Sequence, residues 1–186
     1  MVKLRALAMA SAASVALATA PALAEETALW SRVNEYWQVR VDQSEGNGCY
    51  AYALYAPQNV GLRIGFNRVD GGAEIILMSS AWTTIRQNQA YTVLASFDGG
   101  AQSTWTGYGN YMLGGTPTPS VRIPFQNIQI MDALAKSASV RFWVNGTLIL
   151  GANLPGSMQV LTEMIHCQNQ IEGSRDGSAS SNVSPF

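Results

Sequence analysis

Short runs of alternating apolar and polar residues, each closed by turn residues, recur along most of the 186-residue chain. Residues 37–42 and 60–69 alternate with the period of a half-buried strand. The turn segments 70–72 (Asp-Gly-Gly) and 145–146 (Asn-Gly) are typical of tight hairpins, because Gly and Asn accept the positive φ that these turns need. The pattern predicts an all-β fold of about eight to ten short strands, either an antiparallel β-sandwich or a partly open barrel.

Two segments depart from the strand pattern and predict short helices. Residues 128–137 place apolar side chains three to four positions apart, and Ser157 can cap a second helix whose apolar stripe leads to Cys167. Everything after residue 170 is polar and rich in Gly and Ser. We therefore expect one β-rich domain over 25–170 and a disordered polar tail over 171–186.

The first 24 residues have the composition of a secretory signal peptide. Lys3 and Arg5 precede an Ala-rich apolar run, which ends in a small-x-small cleavage motif at residues 22–24. A membrane anchor is the alternative, but the run is short, Ala-rich and followed by a cleavage site. Cleavage after Ala24 makes residues 1–24 a removed signal peptide and predicts a periplasmic or secreted protein.

The charge content argues against several classes of partner. Charged residues make up 12% of the chain, about half of the usual share near 25%. With 11 basic and 12 acidic residues there is no electrostatic field that would attract a nucleic acid. No stretch after the signal peptide is long and apolar enough to span a bilayer, so we expect no stable membrane insertion after cleavage.

Two cysteines, Cys49 and Cys167, lie in the exported part of the chain. An even number of cysteines in an oxidising compartment predicts a disulfide bond, which would join the last helix to the second of the predicted strands. Two free, buried thiols are the alternative. Cys49, Cys167 and the adjacent His166 make a poor metal site, because the tetrahedral ligand set is incomplete. We expect neither a metal nor another cofactor.

The sequence contains no recognisable catalytic set. A Ser/His/Asp hydrolase needs a histidine base, and His166 is the only histidine in the chain. Paired carboxylates, as in glycosidases, are the remaining hydrolytic chemistry, for which Asp42, Glu74, Asp98 and Asp132 are available and Glu74 is the most interesting. Glu74 begins an apolar strand and either shares a cleft with another acid or points to water. Asp98 precedes two glycines and is most simply a turn former.

The best candidate for ligand binding is an aromatic segment at residues 104–115. Trp105, Tyr108, Asn110 and Tyr111 stand there among glycines. Flat aromatic faces with neighbouring amide and hydroxyl groups suit sugar rings or a peptide. The alternative is that these aromatic side chains pack on the core.

Several motifs carry a resemblance to known proteins. They are Trp-x-x-Ile at 82–85, Tyr91 followed by Phe-Asp-Gly at 97–99, the Asn-Gly hairpin at 145–146, and Leu-x-Gly-Ser at 154–157 before the last helix. Together they resemble a group of small exported proteobacterial proteins of unassigned activity and weakly resemble the invasion-associated locus B family. The resemblance implies a periplasmic or envelope location and a non-enzymatic role, and it supplies no catalytic residue.

Three functions are consistent with the sequence. The favoured one is a non-enzymatic binding or interaction module for an envelope protein or polymer, including an inhibitor of an exported hydrolase. The alternatives are a carboxylate-dependent hydrolase such as a glycosidase, and a structural envelope protein that self-associates through a flat apolar surface.

Overall fold

The structure is a computed structural model that describes residues 27–112, 117–126 and 129–176. The predicted signal peptide and residues 177–186 of the predicted tail lie outside these ranges. The described residues form ten strands and two α-helices. In chain order they are β1 (Thr27–Arg32), β2 (Gln38–Asp42), β3 (Gly48–Tyr55), a 3₁₀ turn (Ala56–Gln58), β4 (Val60–Asn67), β5 (Gly72–Met78), β6 (Ala90–Phe97), β7 (Ser103–Met112), β8 (Thr118–Phe125), α1 (Gln129–Lys136), β9 (Ser139–Val144), β10 (Thr147–Asn153) and α2 (Ser157–Asp176).

All ten strands belong to one antiparallel sheet, which confirms the predicted all-β class with helices. The strand order is β1-β2-β3-β4-β5-β8-β7-β6-β9-β10, so β5 pairs with β8 and β6 pairs with β9 across longer connections. The sheet is open, with β1 and β10 at its two ends within the described residues. The hairpin at Asn145 and Gly146 has the expected positive φ angles of 47° and 81°.

One face of the sheet encloses the hydrophobic core. Buried side chains from both halves of the sheet, such as Ile75 and Phe142, belong to the same apolar cluster. Leu134 of α1 and Met164 of α2 complete that cluster. The sheet therefore curls around a single core that the two helices cover. Neither helix in the described ranges combines the length and the hydrophobicity of a membrane-spanning helix.

The last helix is stapled to the sheet as predicted. Cys49 of β3 and Cys167 of α2 form a disulfide, with their Cα atoms 6.1 Å apart. Beside it, the side chain of Gln168 accepts a hydrogen bond of 2.8 Å from the backbone N–H of Cys49. The disulfide is fully buried, and it ties α2 to the start of β3.

The prediction of a tail from residue 171 is wrong for its first six residues. Helix α2 has 20 residues and continues to Asp176. Ile171 packs against the core, and Glu172 forms an ion pair of 3.1 Å with Arg68. These contacts come from distant parts of the chain, so the polar composition of the segment did not reveal them.

Residues 81–85, between β5 and β6, form an irregular loop. Trp82 packs against the core, while the hydroxyl of Tyr91 donates to the carbonyl of Thr84 at 3.4 Å. The loop lies close against β7 at Gly109, where any Cβ atom would collide with the carbonyl of Arg86. The loop is therefore held by close packing against Gly109 of β7 instead of by a strand ladder.

Candidate functional site

The structure does not bring the predicted aromatic site together. Residues of β7 alternate between the two faces of the sheet, so Trp105 and Tyr111 lie on the core side and Tyr108 and Asn110 on the outer side. Trp105 packs against the core. The hydroxyl of Tyr111 donates to the carbonyl of Ile85 at 3.1 Å. The four residues therefore line no common surface.

The two outer residues of this set have separate surroundings. Tyr108 is 45% exposed and lies opposite Arg122 of the neighbouring strand β8. The side-chain oxygen of Asn110 accepts a hydrogen bond of 2.8 Å from the backbone N–H of Tyr111. Tyr108 thus offers one exposed ring, while the Asn110 carboxamide oxygen is used within its own strand.

Glu74, the first carboxylate candidate, belongs to a buried charge network on the outer face of the sheet. It is fully buried, and its carboxylate accepts a hydrogen bond from Nε of Arg122. Arg63, which is also buried, approaches the same carboxylate to 3.8 Å. The expectation that Glu74 either faces water or lines a cleft is wrong, because its strand neighbours supply two cations that only the sheet register brings near.

The same network holds a second buried carboxylate. Asp42 forms an ion pair of 2.5 Å with Arg63, whose guanidinium lies 4.0 Å from the centre of the Tyr50 ring. Burial alone would lower the pKa of Arg122, but hydrogen bonds to Asp70 and Glu74 and the charge of Glu74 raise it overall. Carboxylates that are buried and paired in this way stabilise cations and do not reach a substrate.

Asp98 and His166 also lack a catalytic setting. Asp98 occupies a turn with φ of 50°, and its carboxylate accepts a hydrogen bond of 2.8 Å from the backbone N–H of Ser139. His166 is exposed on α2 beside Gln170. Within the described ranges, no group of three or more His, Cys, Asp or Glu side chains is placed to hold a metal ion.

An extended concave surface follows the outer edge of β10. Three adjoining hollows, with volumes of about 530, 500 and 770 Å³, line up along this strand, and Gln58 borders all of them. We call them together the β10 groove. A strand of seven residues at about 3.3 Å per residue gives the groove a length near 23 Å.

The floor of the β10 groove is backbone rather than side chain. The carbonyl of Gly151 accepts a hydrogen bond of 3.3 Å from the side chain of Gln58. The carbonyl of Asn153 accepts one of 3.2 Å from the hydroxyl of Tyr55. Both backbone groups of a residue in an antiparallel strand point the same way, so the N–H groups of Gly151 and Asn153 also face the groove. Because β10 pairs only with β9 among the described strands, these N–H groups have no ladder partner.

The side chains of Tyr55 and Gln58, which we call the clamp, bridge the space between the end of β3 and the outer edge of β10. Burial raises the pKa of Tyr55 to about 12, so its hydroxyl remains a hydrogen-bond donor at neutral pH. Gln58 is exposed. The clamp joins the end of β3 and the following turn to β10 through two side chains where a closed barrel would have a strand ladder.

The end of the groove near the start of β10 opens towards the core. This hollow, which we call the mouth hollow, is lined by apolar residues with a polar rim. Trp82 and Tyr91 form part of its wall, and Asn145 and Thr147 belong to its rim. A large apolar side chain with one polar neighbour suits such a space.

Comparison with known proteins adds no assignment to this geometry. The chain matches no protein-family model, and no curated protein or solved structure is significantly similar to it. The sequence patterns do not single out Gln58, Gly151 or Asn153. Their common location depends on the strand order, which leaves β10 at the end of the sheet.

Proposed function

We propose that the protein is a non-enzymatic interaction module of the cell envelope that binds an extended polypeptide segment as an additional strand on β10. The observation that carries this proposal is the pair of backbone N–H groups at Gly151 and Asn153, which face a groove and have no strand partner among the described residues. Unpaired strand edges recognise extended peptides through main-chain hydrogen bonds, while flanking pockets select side chains.

The lining of the groove favours a polypeptide with apolar side chains. Arg141 is the one charged residue among the described residues that border the groove. Leu54, Tyr36 and Leu148 are large apolar side chains at its borders, and each is more than 48% exposed. A bound segment would cover these side chains and exchange the two clamp hydrogen bonds for ladder hydrogen bonds.

Two observations, one from the sequence and one from the structure, support an envelope location. The first 24 residues have the sequence features of an export signal. The disulfide between Cys49 and Cys167 is a bond that persists in oxidising compartments. A periplasmic or secreted protein with a free strand edge would meet other exported chains before or after they fold.

We expect the substitution Gly151→Pro to weaken binding of an extended peptide at least tenfold. Proline removes an N–H that faces the groove, and its ring occupies the space of the incoming strand. The ladder to β9 does not use this N–H, and proline is tolerated on strand edges. The loss of one or two hydrogen bonds worth about 0.5–1.5 kcal/mol each accounts for this factor. Fluorescence anisotropy of a dye-labelled, capped nine-residue peptide of alternating Thr and Val measures it.

Gly151→Ala is the matched control for this experiment. An added Cβ at this position meets only Cγ of Arg141, at an ordinary contact distance of 3.9 Å. We therefore expect the alanine variant to bind the peptide as the wild type does. Circular dichroism checks that both variants are folded. Equal binding by the proline and alanine variants, or no binding by the wild type, would overturn strand addition at β10.

Tyr55→Phe tests the role of the clamp separately. The variant loses the hydroxyl that donates to the carbonyl of Asn153, so the free energy of unfolding should fall by about 0.5–1.5 kcal/mol. Peptide affinity should stay equal or rise, since an incoming strand no longer has to displace that hydrogen bond. Urea unfolding and the same anisotropy titration measure the two effects. A loss of affinity as large as that of Gly151→Pro would show that Tyr55 contacts the ligand directly.

A further inference from the structure

Arg141 is an exposed cation at the edge of the β10 groove. It lies on β9 directly opposite Gly151 of β10. It forms no ion pair within the described ranges. A Cβ atom at Gly151 would lie 3.9 Å from Cγ of Arg141, so the arginine stem is the direct cross-strand neighbour of the glycine. Arg141 is exposed on the outer face of the sheet, one strand in from β10, and it borders the groove.

Because Gly151 has no side chain, a strand added to β10 can reach Arg141. A side chain longer than that of alanine at position 151 would stand between Arg141 and the next strand position. A strand added to β10 would lie about 4.8 Å from it and therefore roughly 10 Å from β9. Two long side chains, one of them Arg141, meet across this distance when nothing stands between them.

We infer that the segment bound in the β10 groove carries a carboxylate side chain beside Gly151, where it pairs with Arg141. The inference rests on the proposed strand addition and specifies which segments are accepted. The groove offers one positive charge and no negative one among its described lining residues. A glutamate or aspartate is attracted to this position, and a lysine or arginine is repelled.

A row of apolar side chains across three strands indicates a second property of the partner. Leu94, Trp143 and Leu148 lie opposite one another on β6, β9 and β10, on the outer face of the sheet. Leu148 is 53% exposed and ends the row at the groove. An apolar residue of the bound segment beside Leu148 would continue this row, since cross-strand neighbours of this kind stabilise a sheet. The partner is therefore an extended, apolar segment with an acidic residue.

Three capped nine-residue peptides that alternate Thr and Val test the inference. They carry Glu, Gln or Lys at the fifth position, on the Thr face. The wild type should bind the Glu peptide about two- to fivefold more tightly than the Gln peptide, the range of opposite-charge cross-strand pairs, and the Lys peptide least tightly. In Arg141→Glu this order should reverse. In Arg141→Gln the three affinities should converge, and in the wild type added salt should reduce the preference.

The outcomes distinguish a failure of this inference from a failure of the proposed strand addition. Equal binding of all three peptides by the wild type, combined with loss of binding in Gly151→Pro, would overturn the role of Arg141 and leave strand addition standing. An order that persists in Arg141→Glu would also overturn that role. Failure of the wild type to bind any of the three peptides would overturn strand addition itself.

Discussion

The substitution Arg63→Met should lower the free energy of unfolding by about 3–5 kcal/mol, the largest effect that we expect from a single side chain. Arg63 is only 1% exposed and lies between the buried carboxylates of Asp42 and Glu74. Methionine fills a similar length but carries no charge, so Asp42 loses its cation. An uncompensated buried carboxylate costs far more than an ion pair contributes at the surface.

Lys136→Met is the matched control for this prediction. Lys136 forms an ion pair of 2.7 Å with Asp132 one turn away on α1, and both side chains are more than half exposed. This substitution should change the free energy of unfolding by no more than about 0.5 kcal/mol. Urea denaturation of the two variants and the wild type gives the comparison. A loss below 1 kcal/mol for Arg63→Met would contradict the assignment of a buried charge network.

Removing the disulfide should lower the free energy of unfolding by about 2–5 kcal/mol. The bond links positions 118 residues apart, so its loss frees a long loop in the unfolded chain. The double variant Cys49→Ala and Cys167→Ala avoids placing a hydroxyl in the core, where both cysteines are fully buried. Denaturation in urea measures the effect, and the wild type treated with a reductant should behave as the variant does.

The position of α2 makes this prediction specific. Gln168 next to the disulfide accepts the N–H of Cys49, while Trp30 of β1 donates to Glu163 on the same helix at 3.1 Å. Both hydrogen bonds can form only when α2 lies close to the sheet, and the disulfide keeps it there. Equal stabilities of the variant and the oxidised wild type would mean that packing alone fixes α2.

Local sequence patterns were sufficient to predict much of the fold. Alternation identified most strands, and the Asn-Gly pair at 145–146 correctly marked the hairpin between β9 and β10. Strand β1 (Thr27–Arg32) was missed, since its irregular alternation includes a break in register between Leu29 and Ser31. Patterns along the chain also carry no information on the pairing of β5 with β8 or of β6 with β9, and these pairings decide which strand is an edge.

The absence of strand-pairing information in local sequence patterns also explains why the site was not predicted. Glu74 looked like a strand end because Arg63 and Arg122 reach it only through the register of neighbouring strands. Trp105 and Tyr108 looked like one cluster because spacing along a strand does not show which face is covered. The β10 groove has no local signature, because its walls come from the ends of β3 and β10 and from the loop after β5.

Amide hydrogen exchange at Gly151 and Asn153 tests strand addition most directly. In the free protein these two amides should exchange quickly, while those of Leu150 and Ala152, which face β9, exchange slowly. On saturation with the Glu-containing peptide, exchange at Gly151 and Asn153 should slow to the level of their two neighbours. Unchanged exchange at Gly151 and Asn153 while the peptide is bound would contradict the proposal that β10 receives an added strand.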